Sequence, residues 1–164
     1  MIPVPIETGR LLIRPFADED VEPVMALFTD PVVMQYISLR GKTVPELLDE
    51  YRRRYEERGY TFWALCERDG PLVGDVGFGT YDATGDPELG YTLAPQAWGR
   101  GYAAEAGRAC ADALFAHLPH DRIVAMVDTR NERSLRTAER IGMHRVGEVE
   151  HPWHTHMLFE MLRP

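Results

Sequence analysis

The chain has 164 residues, of which 45% are hydrophobic and 27% charged, and these values are typical of one globular domain with a core of its own. Its formal net charge of −8 argues against sequence-independent nucleic-acid binding, which needs a basic surface. The acidity mildly favours a cationic partner, although solubility explains it more simply. The proline-broken start predicts no signal peptide, and no apolar run is as long as a membrane span. We therefore expect a single domain over residues 1–164, with neither nucleic acid nor a membrane as partner.

Two cysteines, Cys66 and Cys110, lie inside apolar patterns without the spacing of a metal site or a disulfide framework. They predict buried thiols in a reducing compartment, so we expect a cytoplasmic protein. The sequence leaves a homodimer open.

The N-terminal third predicts one strand and two helices. A strand over residues 10–14 ends at a proline, and apolar residues at helical spacing follow over residues 21–28, with Asp18 as the expected N-cap. A second helix begins at Thr43, which has the spacing of a capping box, and ends at Gly59.

The middle of the chain is rich in predicted strands. Residues 61–67 and 72–78 flank a turn signal and form a hairpin, and a further strand covers residues 88–93. The elements expected after it are a helix over residues 102–118, a strand over 123–127, a helix from Asn131 to Gly142, and closing strands over 143–149 and 157–162.

The order of these elements predicts how the strands pair. The helix between the strands at 88–93 and 123–127 is a crossover, which makes these two strands parallel neighbours and puts a ligand site at their carboxyl ends. Most other strands are joined by short turns and should be antiparallel. The fold class is therefore α/β, or α+β in stricter usage.

The segment Gln96–Ala103 lies between the strand at 88–93 and the crossover helix. A helix start carries unpaired N–H groups and partial positive charge, and Gly99 and Gly101 let a ligand approach the backbone closely. We therefore expect an anion site for a pyrophosphate. In isolation, a Gly-x-Gly pair is explained better by an ordinary tight turn.

Three motifs together resemble the GNAT-type N-acetyltransferases. Gln96–Gly101 is similar to the family's pyrophosphate signature, Gln/Arg-x-x-Gly-x-Gly/Ala. Trp98–Ala103 and Thr8–Arg14 resemble the RimJ/RimL-like branch, which acetylates ribosomal-protein N-termini. Asn131–Ser134, followed by Glu139–Met143, is similar to the branch's Asn-x-x-Ser and Glu-Lys-x-Gly-Phe segments, with Arg140 and Met143 departing from it.

The resemblance implies acetyl-CoA as cosubstrate and one domain with a mixed, mostly antiparallel sheet and helices on both faces. The turn would hold the pyrophosphate through backbone N–H groups, the pantetheine arm would lie along the preceding strand, and Arg100 either adds a charged contact or points to solvent. The implied cofactor-binding residues are Thr92, Leu93, Ala94, Gln96, Trp98, Gly99, Arg100, Gly101, Tyr102, Ala103 and Asn131.

Acetyl transfer requires that an amine lose a proton and that a thiolate gain one. The resemblance implies Glu88 as the base and Ser134 as the acid, and the N–H of Leu93 is the expected oxyanion donor. Glu88 is alternatively a solvated residue at a strand end, and Ser134 a serine that satisfies the backbone at a helix start. A further alternative is an acidic cleft that binds the amine without a dedicated base. Asp75, Asp128 and Glu160 are the other acidic candidates.

His151, His154 and His156 invite a zinc site, and His154 and His156 could share one strand face. No cysteine or carboxylate pair completes an obvious ligand set, so no metal is expected, and packing or acceptor contact explains these histidines better. Trp63 and Trp153 are first interpreted as core or interface residues.

The sequence thus favours an N-acetyltransferase that acts on a protein N-terminus or a small primary amine by direct attack. The alternatives are a non-catalytic acyl-CoA-binding regulatory module and a cofactor-free interaction domain. The acceptor should lie between the first two helices, including residues 34–41, and the last strands, where no motif indicates its chemistry.

Overall fold

The computed structural model describes residues 1–152 and 154–164. Within them, one mixed sheet has the strand order β1-β2-β3-β4-β5-β6-β8-β7. The strands are β1 (Ile6–Glu7), β2 (Leu11–Arg14), β3 (Phe62–Glu67), β4 (Leu72–Thr80), β5 (Pro87–Leu93), β6 (Arg122–Asp128), β7 (His144–Val149) and β8 (His156–Leu162). The helices are α1 (Val21–Thr29), α2 (Val44–Arg58), α3 (Tyr102–His117) and α4 (Glu132–Ile141).

Local sequence signals set the ends of α2 as predicted. The Thr43 side chain accepts a hydrogen bond from the Glu46 N–H at 3.5 Å, and a Glu46 carboxylate oxygen accepts from the Thr43 N–H at 2.8 Å. This reciprocal pair is the capping box. Gly59 ends the helix with φ +78°, and Gly142 ends α4 in the same way with φ +106°.

The start of α1 differs from the prediction. Asp18 belongs to a short 3-10 turn, and the helix begins at Val21. The carboxylate of Asp20 holds Arg14 through contacts of 2.6 and 2.9 Å and also accepts from the Ala17 N–H at 2.7 Å. The assignment of Asp18 as the N-cap was therefore wrong, because the ion pair with Arg14 shapes the entry to the helix. The two-residue strand β1 was also not predicted.

Strand pairing confirms the predicted topology. β5 pairs with β6 in parallel and with β4 antiparallel, and the remaining neighbours pair antiparallel. The parallel register places Glu88 opposite Val124. Beyond this point β5 continues to Leu93 alongside β4 alone, so β5 and β6 diverge toward their carboxyl ends.

Helices cover both faces of the sheet, as expected. On β3, Phe62 joins the apolar cluster beneath α1 and α2, whereas Trp63 and Leu65 join the larger core beneath α3. Alternation along a strand places neighbouring residues on opposite faces. The same alternation in β5 directs Glu88, Gly90 and Thr92 to one face and the residues between them to the other.

Both predicted buried thiols, Cys66 and Cys110, are buried and unpaired. Trp63 is a core residue, and the prediction for Trp153 falls outside the described residues. Across the described ranges, no helix combines the length and hydrophobicity that a membrane span requires.

Candidate active site

The divergence of β5 from β6 leaves one edge of β5 open. The Ala94 N–H donates to the Val73 carbonyl at 2.8 Å, toward β4. Because successive residues of a strand direct their N–H groups to opposite edges, the Leu93 N–H points into the gap between β5 and β6. The Leu93 carbonyl, on that same edge, accepts a hydrogen bond from the Trp98 indole at 2.7 Å. This bond ties the turn that follows β5 back to the end of the strand.

The turn between β5 and α3 contains two left-handed glycines. Gly99 has φ +76° and Gly101, the residue before α3, has φ +78°, a conformation that L side chains rarely adopt. The turn therefore delivers the first N–H groups of α3, from Tyr102 and Ala103 onward, without intrahelical acceptors. Together with the helix dipole they suit an anion.

A cavity of about 620 Å³ extends from this turn into the gap between the strands. Its walls are the end of β5, the glycine turn and the start of α3 on one side, and α4 on the other. It brings together most residues of the predicted cofactor site: Thr92, Leu93, Trp98, Gly99, Gly101, Tyr102, Ala103 and Asn131, with Ser134 beside them.

Three predicted cofactor residues lie outside this lining. Ala94 directs its N–H to β4, and Gln96 is exposed. Arg100 is exposed and pairs with Glu67 at 2.8 Å. The Arg100 side chain thus lies along the outside of the turn.

Ser134 lies in the first turn of α4, where β5 can reach it. Its backbone N–H donates to the side-chain oxygen of Asn131 at 3.1 Å, which is the predicted N-cap. Because the cap uses the backbone of Ser134, the hydroxyl is available for another partner. That partner is Tyr91 of β5, whose hydroxyl lies 3.0 Å from Ser134 Oγ and 3.1 Å from the Ser134 carbonyl oxygen.

A second cavity, of about 610 Å³, opens on the face of the sheet beneath α1 and α2. It shares Tyr91 and Thr92 of β5 with the first cavity, together with Gln35, Tyr36, Ile37 and Arg130, so the two meet where β5 faces residues 35–37. Phe62 forms part of its floor, with a ring carbon 2.8 Å from where a Cβ on Gly90 would lie. Tyr51 of α2 stacks on that ring, with centroids 5.2 Å apart.

Two carboxyl groups in the second cavity are adapted to hold a proton near neutral pH. Burial raises the pKa of Glu88 to about 7, opposed by the positive charges of Arg40 and Arg54. Burial likewise raises the pKa of Asp75 to about 7, opposed by hydrogen bonding to Thr92. Carboxyl groups tuned in this way can take a proton from an ammonium and release it to water.

A family model described as an acetyltransferase (GNAT) domain matches residues 10–144. The chain belongs to this family. YkkB of Bacillus subtilis (strain 168) is 36% identical over 144 residues, which are 84% of this chain and 83% of that protein.

Solved structures show the same fold. A GNAT-family acetyltransferase from Bacillus anthracis has a TM-score of 0.82 at 27% identity, covering 98% of this chain and 99% of that one. Mycobacterium smegmatis RimJ, in complex with CoA-disulfide, has a TM-score of 0.79 at 20% identity, covering 93% of this chain and 81% of that one. The resemblance to GNAT-type N-acetyltransferases is confirmed, and the fold is shared with RimJ.

Family membership identifies this GNAT protein as an acetyl-CoA-dependent N-acetyltransferase. The first cavity, called the groove below, fits that donor. It offers the backbone N–H groups of a helix start at one end and the open edge of β5 at the other.

The other two acidic candidates of this N-acetyltransferase are engaged in ion pairs. Asp128 binds Arg130 at 2.7 Å, and this contact lowers the pKa of Asp128 to about 2. Glu160 binds Arg122 at 3.0 Å. Asp75 and Glu88 have no comparable ion pair among the described residues.

The three histidines line the second cavity. Only His156 belongs to β8, so His154 and His156 do not share a strand face. The rings of His151 and His156 meet edge to face, with centroids 5.0 Å apart. Among the described residues, no three histidine, cysteine or acidic side chains are grouped as metal ligands.

Sequence reasoning missed two parts of the site. Tyr91 was assigned no role because the serine it contacts is 43 positions away. Of the arginines of α4, the sequence analysis considered only Arg140. In the structure, Arg133, Arg136 and Arg140 together line the first cavity. The guanidinium of Arg133 lies 3.7 Å from the centroid of the Trp98 ring. The arginines' spacing of three and four residues was the available signal, because it places them on one helix face.

Proposed function

We propose that this N-acetyltransferase moves the acetyl group of acetyl-CoA directly to a primary amine, with both substrates bound at once. The observation that carries this proposal is the meeting of two cavities at Tyr91 and Thr92 of β5. A donor in the first cavity and an acceptor in the second can reach each other across the open edge of one strand. Such an arrangement supports direct attack, since no covalent acetyl-enzyme is needed to carry the group between sites.

The donor is held by the residues of the first cavity. N–H groups of the turn and the start of α3 bind the pyrophosphate, and the pantetheine arm lies along the open edge of β5 beside Thr92 and Leu93. The arginines at the mouth of the groove, Arg136 and Arg140, face the negative charges of the cofactor. The N–H of Leu93 supports the oxygen of the thioester carbonyl as charge develops on it.

Glu88 acts as the base. Primary amines are largely ammonium at neutral pH, with lysine-type amines titrating near ~10.4 and α-amines near ~8. The raised pKa of Glu88 lies closer to that of the amine, so its carboxylate can accept the proton directly or through water. Asp75, on the same face, is the alternative base.

Ser134 acts as the acid toward the departing thiolate. It lies in the lining of the donor cavity, at the start of α4. Its helix-start role does not compete, because Asn131 bonds its backbone N–H and leaves the hydroxyl unused by the cap.

The acceptor is a protein N-terminus or a small-molecule amine, and the chain works in the cytoplasm, where acetyl-CoA is available and the thiols of Cys66 and Cys110 stay reduced. RimJ-type relatives make a protein N-terminus the first class to test. The assembly we propose to test alongside it is a homodimer.

Thiol release from acetyl-CoA in the presence of an amine panel, with mass spectrometry of the product, tests the proposal. Glu88→Gln and Ser134→Ala should each lower kcat by about 100-fold with little change in acetyl-CoA affinity. Glu148→Gln is the matched control for Glu88→Gln, since Glu148 is exposed on β7 and outside both cavities. Unchanged turnover in both active-site variants would remove these roles, and tight acetyl-CoA binding without turnover on any amine would favour the non-catalytic binding module.

A further inference from the structure

Tyr91 occupies the point where the donor and acceptor cavities meet. It lies on β5 between Gly90 and Thr92, yet its side chain projects to the opposite face from theirs, toward α4. Its hydroxyl reaches two atoms of a single residue, Ser134 Oγ at 3.0 Å and the Ser134 carbonyl oxygen at 3.1 Å. The proposed acid is therefore in direct contact with a phenol from the strand that carries the thioester.

Counting protons shows what this contact can do. A tyrosine hydroxyl has one proton, whereas the Ser134 carbonyl can only accept. When the phenol donates to the carbonyl, the serine hydroxyl donates to the phenol oxygen and its proton points away from the groove. When the phenol donates to Ser134 Oγ, the serine proton is directed into the groove. Only the second arrangement prepares Ser134 to protonate a sulfur.

The second arrangement also removes the main weakness of serine as an acid. A serine that gives up its proton alone becomes an alkoxide, which is much more basic than a phenolate. If the phenol proton moves to Ser134 Oγ in the same step, the negative charge ends on the aromatic oxygen. Burial raises the pKa of Tyr91 to about 12, so the phenol is fully protonated throughout the neutral range.

We propose that Tyr91 is the source of the proton that Ser134 passes to the departing thiolate. This inference rests on the proposed function, in which Ser134 is the acid. Tyr91 acts through Ser134 and is thus a positioning and proton-supplying residue.

The ammonium first loses one proton through Glu88 to water, which leaves the free amine. The amine nitrogen then forms the bond to the acetyl carbon, and its second proton passes to Glu88. The C–S bond breaks, its electron pair stays on sulfur, and sulfur takes the Ser134 proton while Ser134 takes the Tyr91 proton. Glu88 then gives its proton to solvent and the phenolate takes one back. The net change is one amide and one thiol from one amine and one thioester.

The experiment compares Tyr91→Phe, Ser134→Ala and the double variant in thiol release with an amine that the wild type accepts. Phenylalanine keeps the ring and removes only the hydroxyl. Tyr55→Phe is the matched control, because the Tyr55 hydroxyl bonds the backbone carbonyl of Ile2 at 2.6 Å, far from both cavities. Acetyl-CoA affinity and thermal stability are measured for every variant.

In a serial relay, Tyr91→Phe lowers kcat by at least about tenfold and leaves KM and Kd for acetyl-CoA unchanged. In the Ser134→Ala background, Tyr91→Phe then has no additional effect, because the relay is already cut. Replacement of Tyr91 by 3-fluorotyrosine, which keeps the hydroxyl, restores turnover.

A kcat for Tyr91→Phe that equals that of Tyr55→Phe would overturn the relay, and so would independent effects of the two substitutions that multiply in the double variant. A loss of acetyl-CoA affinity that accounts for the whole fall in rate would also overturn it, since it would show a purely structural role. If the wild type releases no thiol with any amine, the proposed function fails and the relay fails with it. Wild-type turnover that persists in Tyr91→Phe overturns the relay alone.

Discussion

Asp75 on β4 stands directly across the strand ladder from Thr92 on β5, on the face of the sheet where the second cavity lies. The residue is 2% exposed, and its Oδ1 has no hydrogen-bond partner among the described residues. A buried carboxylate without a counter-ion is costly, which agrees with the pKa of about 7 that burial confers on Asp75. The second cavity therefore contains a group that opposes folding once it ionises.

We therefore predict that Asp75→Asn stabilises the chain, and that the gain in stability is larger at high pH than at low pH. The folded state holds the Asp75 proton more tightly than the unfolded state, so the penalty is absent below the unfolded pKa of 3.8, grows as the pH rises toward about 7, and is complete above it. The full shift corresponds to roughly 4 kcal/mol. Urea denaturation should show that Asp75→Asn stabilises the chain markedly at pH 8 and much less at pH 5.

Asp128→Asn is the control of opposite sign. The pKa of Asp128 is lowered to about 2 by Arg130, so its contribution is favourable above the ordinary pKa of 3.8 and is lost as the pH falls toward 2. Asp128→Asn should destabilise the chain by the same amount at pH 5 and pH 8. An equal effect of Asp75→Asn at these two pH values would contradict the prediction for Asp75.

If Glu88 is the base, kcat/KM should fall on the acidic side of the pH profile. Because a base must be deprotonated before it acts, kcat/KM should rise with pH through about 7, the pKa of Glu88. Glu88→Gln should abolish this pH dependence, whereas Asp75→Asn should leave it in place. Measurements with acceptors whose amines differ in pKa distinguish ionisation of Glu88 from ionisation of the amine. If the midpoint of the pH dependence shifts with the pKa of the amine, the dependence does not come from Glu88.

Trp98→Phe should weaken binding of acetyl-CoA. The substitution removes the indole N–H that bonds the Leu93 carbonyl at 2.7 Å, and with it the tie between the end of β5 and the turn. Loss of one such bond costs about 1 kcal/mol, so the Kd measured by calorimetry should rise by roughly fivefold to tenfold.

Trp63→Phe is the comparison for that result. Trp63 is buried in the core, and its indole nitrogen has no partner among the described residues. Its replacement should lower the melting temperature through lost packing and leave the Kd for acetyl-CoA unchanged. A similar loss of affinity in both variants would show that the Trp98–Leu93 bond has no special role.

Gly90→Ala should alter the acceptor cavity. A Cβ at this position would lie 2.8 and 2.9 Å from two carbons of the Phe62 ring, so the ring must move against Tyr51. We expect a loss of about 1–2 kcal/mol in stability and a higher KM for the acceptor, with acetyl-CoA affinity retained. Gly147→Ala on β7, where a Cβ meets nothing within 4 Å, should change neither quantity.

Features that depend on neighbouring residues were predicted well. The capping box at Thr43 and Glu46, the N-cap at Asn131 and the left-handed ends at Gly59 and Gly142 are each formed within a few residues. Their signals are therefore written in short stretches of chain. The crossover between β5 and β6 was predictable for the same reason, because one helix separates two apolar strands.

Features that depend on distant residues were predicted poorly. Asp18 was assigned to the cap because the sequence does not show that Asp20 pairs with Arg14. Glu160 and Asp128 were further acidic candidates beside Glu88, because the sequence does not show that each pairs with an arginine. The sequence left Arg100 open between a charged contact to the cofactor and a solvent-facing side chain, because it does not show that Glu67, on another strand, pairs with it.

The sequence by itself determined the donor half of the site in this N-acetyltransferase. A strand, a glycine turn and a helix start are contiguous, so local backbone conformation is enough to present N–H groups to an anion. Only the tertiary structure decided the arrangement of the candidate acid and base groups. It joins Tyr91 to Ser134 and places Asp75 across from Thr92. It also pairs some carboxylates with arginines and leaves others buried and able to hold a proton. Burial and pairing across the sheet set these pKa values and contacts, and both arise only when segments far apart in the chain pack together.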